Sequence, residues 1–359
     1  MINHRKAKPG YIVGLPRVDV IEVHMKAEKK SIHRKNSILS GKTFTRKKNR
    51  SFTKLHKNLS ISGASFIDIY HFDCGNDVPV YEVQTVHALN QIIGHAKFNN
   101  QLFGNVYYRG ECKLHSSLKP SLFRGVKNTN KVSESLMKLI DRIIKDPGMD
   151  KILKTTGSDL DCVRIYVEGM LQHYGIPTRF IDVVDNHWIA LWMGLNRSQK
   201  IKQIGTYYHY TERSIPLIEM TMDSKETDES LFQYIVLIAI PFSEKRMYSG
   251  IDISPDYIEV DLRQALPSLF LRPHAQHGLV LRRKVHQPTT ANTDDYDMAP
   301  SIIGIIRIRI DRVHEWIGSG ELLSQNNLFP PRAYDYGYDL LLSRGDLFEG
   351  FSYAIAQYV

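Results

Sequence analysis

The stretch LQHYGIPTRFIDVVDNHWIALWMGL, residues Leu171 to Leu195, decides the fold class, because three kinds of structure succeed one another within it. Val163, Tyr166, Val167, Met170, Leu171 and Tyr174 recur at the spacing of one helix face. That pattern predicts a helix from about Asp159 to Tyr174 with Gln172 and His173 in its last turn. Gly175 and Pro177 end it, since glycine tolerates the left-handed turn after a helix and proline cannot extend the hydrogen-bond ladder. Thr178 to Val184 alternates and is rich in β-branched residues, which predicts a strand. Phe180 and Val183 are expected on one face, and Arg179, Ile181 and Val184 on the other. Asp185 or Asn186 then caps a second helix whose Trp188, Ile189, Leu191, Trp192 and Leu195 leave it almost wholly apolar, as a core helix is.

Arg179 and Asp182 are charges in this apolar setting. Burying a charge is costly unless it is paired, so the two are expected to meet each other, other polar groups, or a ligand.

Upstream, Ser65 to Phe72 alternates as a strand, Gly75-Asn76-Asp77 is turn chemistry, and Thr85 caps an amphipathic helix to Phe98. Gly104 to Arg109 follows as a strand that puts Arg109 at an exposed edge beside Gly110, where a backbone comes close to a ligand or turns sharply. Phe123-Arg124-Gly125 follows no apolar strand and is taken as a loop without a role of its own. Lys131 to Lys145 is a helix ended by Pro147-Gly148. Downstream, Gly205 to Tyr210 is strand-like and Phe232 to Ile240 has the continuous apolar pattern of a strand buried on both faces. Gly278 to Arg283 and Ser301 to Ile310 are further strands, and a polar loop from Gln287 to Met298 separates them. The tail ends in a helix-like piece reaching Val359. The sum is an α+β domain, a mixed or antiparallel sheet with flanking helices, over residues 77–359, with a C-terminal elaboration.

Three blocks resemble the FRG domain, a family with a Phe-Arg-Gly signature: Tyr108-Arg109-Gly110 with Tyr in the first place, Gln172-His173-Tyr174-Gly175 followed by PTR and an ALxxG helix, and Ala275-Gln276 within RPHAQHGLVL. Together they span Val106 to Leu281. The order of these blocks is also similar, more distantly, to the ADP-ribosyltransferase fold. That likeness implies NAD as substrate, with Arg109 holding phosphate or ribose, His173 and Gln276 contacting the ribose, and Arg179 with Asp182 shaping the pocket. Tyr108, Arg109, Gly110, Gln172, Tyr174, Thr178, Arg179 and Asp182 are then the cofactor-binding candidates, and Arg109, His173 and Gln276 the catalytic ones. The family resemblance further implies an ADP-ribosyltransferase or NAD glycohydrolase acting as a toxin or phage-defence effector. The sequence departs from that pattern at Gln276, a neutral amide where the transferase fold has a glutamate. It can hydrogen-bond a ribose but cannot offset a positive centre.

The chain is 359 residues long, and 42% hydrophobic with 24% charged residues is ordinary globular composition. No apolar run approaches the roughly 20 residues of a spanning helix, so no membrane association is expected. Three widely spaced cysteines, Cys74, Cys112 and Cys162, make neither a disulfide framework nor a zinc knuckle, which favours a reducing, cytoplasmic location. The net charge of +9 is unevenly placed, because residues 1–60 carry 16 Lys and Arg against 3 acidic residues while the remainder is net acidic. Residues 1–76 are expected to be a basic, partly disordered extension, either a solvated arm or one that contacts nucleic-acid phosphates. The alternative to an enzyme is therefore a non-catalytic nucleotide or nucleic-acid binding module. His274 and His277 lack further ligands nearby, so no metal is expected. Arg109 also has a plain structural alternative, an ion pair with Glu111.

Overall fold

The computed structural model describes residues 52–153, 159–201, 207–214, 229–243, 245–288, 290–331, 333–343 and 345–348. They belong to one compact unit, Phe52–Val359. The basic runs before Phe52, with the nucleic-acid contact expected of them, lie outside the described residues, as does the end of the C-terminal tail. The unit begins ahead of the boundary expected at residue 77: strand β1 (Ala64–His71) pairs antiparallel with β2 (Asp77–Val83), and Leu55 is buried and donates its N–H to the Ile303 carbonyl.

After β2 the chain runs through α1 (Val86–Asn100), β3 (Gly104–Glu111), α2 (Thr129–Ile144), α3 (Pro147–Leu153) and α4 (Leu160–His173). Then come β4 (Ile181–Val184), α5 (His187–Leu195), β5 (Asn196–Ile201), β6 (Tyr207–Glu212) and β7 (Phe232–Pro241). The third part holds β8 (Lys245–Tyr248), β9 (Ile251–Ile253), β10 (Tyr257–Asp261), α6 (Leu262–Ala265), α7 (Leu271–Ala275), β11 (Gly278–Arg283) and β12 (Ile302–Arg309). The last described helices are α8 (Ile310–Ile317), α9 (Gln325–Leu328) and α10 (Tyr336–Ser343). Side-chain caps set the helix starts: Thr85 for α1, Asp159 for α4 and Asn186, rather than Asp185, for α5 each accept a backbone N–H of the first turn. Pro147 opens α3 instead of merely stopping α2, as a proline in the first turn has no N–H to lose.

Ten strands form one sheet in the order β1-β2-β12-β7-β3-β4-β11-β10-β9-β8, antiparallel throughout except for β2 with β12. The fold is α+β, as the periodicity implies. β7 lies in the middle with Phe232 to Ile240 all buried. Its Ile235, Leu237 and Ala239 join the core under α1 and α5, while Tyr234, Val236, Ile238 and Ile240 join the core on the other face. β3 is an interior strand between β7 and β4, not an exposed edge.

The sheet is joined at its middle by very little. β3 stays in register with β7 to its last residue, and β4 pairs along its whole length with β11. Between β3 and β4 the only registered pair is Tyr108 with Val184. Beyond it the two strands part, so the sheet is two halves hinged at one pair with a fork between them.

The expected facing of β4 needs correction. Residues 178–180 are irregular with a bend at Arg179, and the strand begins only at Ile181, so its alternation starts there. Ile181 and Val183 therefore share one core, Val184 faces the other, and Phe180 packs separately beneath α4.

Candidate functional site

The fork between β3 and β4 opens into a cleft of about 410 Å³, walled by the end of α4, the turn at 175–177, α5 and α7. The signature residues build its floor. Tyr108 is fully buried, and Gly110 lies against the backbone of α5. A Cβ on Gly110 would stand 1.9 Å from the Ala190 carbonyl oxygen and 2.7 Å from the Gly194 nitrogen. The glycine of the signature and the Ala190-to-Gly194 step of ALxxG are thus the two sides of one backbone-to-backbone contact, which only a residue without a side chain permits.

Arg109 spans the fork. Its Nη1 donates to the Asp182 carbonyl at 2.7 Å and its Nε to Glu111 Oε1 at 2.5 Å. The guanidinium replaces the ladder hydrogen bonds that parted strands cannot make. The structural partner considered for Arg109, Glu111, is therefore present, and the arginine lines the cleft as well.

Asp182 projects from β4 into the fork with 41% of its side chain exposed. Gln172 Nε2 donates to its Oδ2 at 2.7 Å, and Gln172 is itself fixed because its Oε1 accepts from Thr178 Oγ1 at 2.7 Å. His173 Nδ1 lies 3.4 Å from Asp182 Oδ1, in ion-pair range but not aligned as a hydrogen bond, and neither ring nitrogen of His173 makes one among the described residues. His173 is only 5% exposed and its ring rests on Gly278, where a Cβ would come within 2.5 Å of Cε1. Packing works to raise the Asp182 pKa, but His173, Gln172 and Arg109 outweigh it and hold the carboxyl below its ordinary value. Asp182 is a carboxylate at neutral pH.

The remaining candidates divide. Tyr108, Arg109, Gly110, Gln172, His173, Asp182 and Gln276 come together at the cleft. Tyr174, Thr178 and Arg179 do not. Tyr174 is buried with its hydroxyl donating to Asp335 Oδ1 at 2.6 Å, and Thr178 is fully buried behind Gln172. Arg179 turns away from Asp182 and grips Glu168, which is wholly buried on α4, by Nε at 2.9 Å, Nη2 at 2.5 Å and its backbone N–H at 3.1 Å. The two charges do not meet each other, because the bend at Arg179 ahead of β4 puts them on different sides. Gln276 is 4% exposed and spends its Nε2 on the Leu328 carbonyl at 2.6 Å, so it supports the wall and offers little to a ligand.

Other residues of the cleft escaped the sequence reading. Glu111 is the second carboxylate. Arg124 and Arg272 bring the arginines to three. Arg272 stacks on Phe329, 4.5 Å from the ring centroid, and Phe329 stands 4.4 Å from the ring of Tyr210, making an aromatic wall. The cleft thus sets carboxylates at the fork, guanidinium groups around it and flat apolar surface on one side.

The model of the FRG domain family matches residues 104–203. The chain carries an FRG domain. The matched span holds the first two blocks with β3, α4, β4 and α5, which are the elements of the fork. The third block, on α7 and β11, lies beyond it and closes the FRG domain's cleft from the other half-sheet. No curated protein and no solved structure matches the chain. Among the described residues no helix is long and apolar enough to cross a membrane, and no group of three or more His, Cys, Asp or Glu is placed to hold a metal ion.

Proposed function

We propose that the cleft of the FRG domain binds NAD and acts on its nicotinamide–ribose bond, as an ADP-ribosyltransferase or an NAD glycohydrolase. The observation that carries this reading is Asp182, an ionised, partly exposed carboxylate at the head of the fork, held in place by Gln172 and His173. When the bond between the ribose C1′ and the nicotinamide nitrogen breaks, the electron pair leaves with nicotinamide and positive charge develops on the ribosyl centre. A fixed carboxylate stabilises that charge more than it stabilises the ground state, which is the requirement for catalysis. Asp182 supplies what Gln276 lacks. The acceptor, water or another nucleophile, then bonds to C1′ and gives up a proton, which Asp182 or solvent takes.

The other walls suit the rest of the molecule. Guanidinium groups pair with diphosphate oxygens through charge-assisted hydrogen bonds. The half-buried Tyr210 ring, backed by the buried Phe329, offers a stacking surface for a base or a nicotinamide. A volume of about 410 Å³ falls within the range, roughly 300–1,000 Å³, of small-molecule sites. A toxin or phage-defence role goes with NAD consumption, and is tested by growth arrest on expression that Asp182→Asn relieves.

Calorimetry of the full chain with NAD and with ADP-ribose tests the reading. Binding of both by the wild type is expected. Absence of both heats overturns it, and binding without nicotinamide release makes the FRG domain a non-catalytic nucleotide module.

A further inference from the structure

The split between the two half-sheets has a second opening. Beyond the Tyr108–Val184 pair, Arg109 to Cys112 line the cleft; ahead of it, Gly104 to Tyr107 line a separate cavity of about 490 Å³ that shares no lining residue with the cleft. β4 stops at Val184, and the space beside the first half of β3 is closed instead by Asp185, β9, β10 and α6. We propose that this cavity is a second ligand site and that it takes an uncharged sugar ring. The inference is independent of the nucleotide reading of the cleft, and its walls on β9, β10 and α6 lie outside residues 104–203 that the FRG model matches.

The walls are polar and fixed from behind. Tyr107 points to the face of β3 opposite Tyr108 and is 5% exposed; its hydroxyl donates to Glu259 of β10 and accepts from Asn105 Nδ2 at 3.0 Å. Arg263 of α6 is clamped by Asp261, which accepts from Nε and Nη2 at 2.9 Å each, and by Asp185, which accepts from Nη2 at 2.9 Å. Opposite in character is Phe242, an aromatic ring of the lining that is 44% exposed, its root tied by a backbone N–H to the Phe103 carbonyl at 3.0 Å. Oriented carboxylates and amides accept from and donate to vicinal hydroxyls, and an aromatic ring packs on the apolar C–H face of a sugar. The volume again falls within the range, roughly 300–1,000 Å³, of small-molecule sites.

The charges argue against an ionic ligand. Lys97 and Arg263 offset Asp185 and Asp261, which leaves Asp252 and Glu259. These two are cross-strand partners in register, so they share one face of the sheet, and Arg246 of β8 is the next residue in the same cross-strand row. Burial, with Asp252 and Asp261 adding to it, pushes the Glu259 pKa up to about 7, so near neutral pH the pair holds a proton. A phosphate would meet the carboxylate pair, and an ammonium ion would meet Arg263, Lys97 and the retained proton. A hydroxyl suits both members, since it donates to the Asp252 carboxylate and accepts from the protonated Glu259.

Saturation-transfer NMR titrations of the full chain with glucose, galactose and ribose, and with spermidine and citrate as charged probes, test the assignment in the wild type, Asp252→Ala and Phe242→Ala. Binding of at least one sugar by the wild type is expected. Asp252→Ala should weaken it about tenfold to a hundredfold, as loss of a hydrogen bond to a charged group does, and Phe242→Ala about twofold to tenfold, as loss of an aromatic contact does. Neither side chain is buried, so both variants should keep the wild-type melting temperature. Absence of transfer to all three sugars overturns the inference. Sugar binding at wild-type affinity in either variant overturns it as well, because the sugar then sits elsewhere. Tighter binding of spermidine or citrate than of any sugar, lost in Asp252→Ala, overturns it in favour of an ionic ligand.

Discussion

Arg109 Nη1 donates to the main-chain oxygen of Asp182 at 2.7 Å, across the gap where β3 and β4 part. One side chain thereby does what a run of ladder hydrogen bonds does elsewhere in the sheet, and it does so at the point where the cleft begins. Arg109→Ala leaves that carbonyl and the Glu111 carboxylate without their donor, at a cost of about 1–3 kcal/mol. Chemical denaturation should show a loss of that size. An unchanged midpoint would mean that the fork is held by something other than Arg109.

Gly110 against Ala190 gives a second prediction. A methyl group placed 1.9 Å from the Ala190 carbonyl oxygen cannot be absorbed by a side-chain rotation, because both sides are backbone. Gly110→Ala must push α5 from β3, and overpacking of this kind costs about 1–3 kcal/mol or more. Loss of soluble protein or a clear drop in melting temperature is expected, whereas Gly75→Ala, where nothing lies within 4 Å but φ is 80°, should cost less.

Glu168 and Arg179 make a third. Glu168 is fully buried and accepts two guanidinium bonds and the Arg179 backbone N–H, so it anchors the turn between α4 and β4 that sets Gln172 and Asp182 facing each other. Glu168→Ala strips a buried ion pair of one member and should cost about 3–5 kcal/mol by urea denaturation. A cost below about 1 kcal/mol, the range of an exposed pair, would contradict the anchoring role.

A pH effect follows from Glu259. Burial pushes its pKa up to about 7; Tyr107, whose hydroxyl donates to it, works the other way, and Asp252 and Asp261 add to the rise. Between the ordinary carboxylate pKa and about 7 the folded chain keeps a proton that the unfolded chain has lost, so this group makes stability fall as pH rises through that window. Glu259→Gln keeps an acceptor for Tyr107 and removes the titration. The variant should gain melting temperature relative to wild type at pH 8 and match it near pH 4. A wild-type-minus-variant difference that stays flat with pH would refute the assignment.

Local periodicity made most of the elements legible. α4, α5, β7 and β11 fall close to where apolar spacing and the capping and stop residues put them, because each is specified by its own residues. The fork was not legible, since it depends on β4 preferring β11 over β3, a choice made by pairing partners 70 to 100 positions apart in the chain. The same reason explains the divided fate of the candidate residues. Gln172, His173 and Asp182 converge because a short loop joins the end of α4 to β4, whereas Arg179 is assigned only by its partner Glu168, one more polar residue in a helix. In sequence Glu111 reads as a mate for Arg109, and Phe123-Arg124-Gly125 follows no strand, although its buried phenylalanine is what fixes that turn beside the cleft.

Nicotinamide release from NAD by the purified full chain, wild type beside Asp182→Asn, tests the role of the Asp182 carboxylate most directly. Release by the wild type and its loss in Asp182→Asn with NAD still bound are expected, since the amide keeps the shape of the fork and removes the charge that faces the ribosyl centre. Release that persists at the wild-type rate in Asp182→Asn would contradict it.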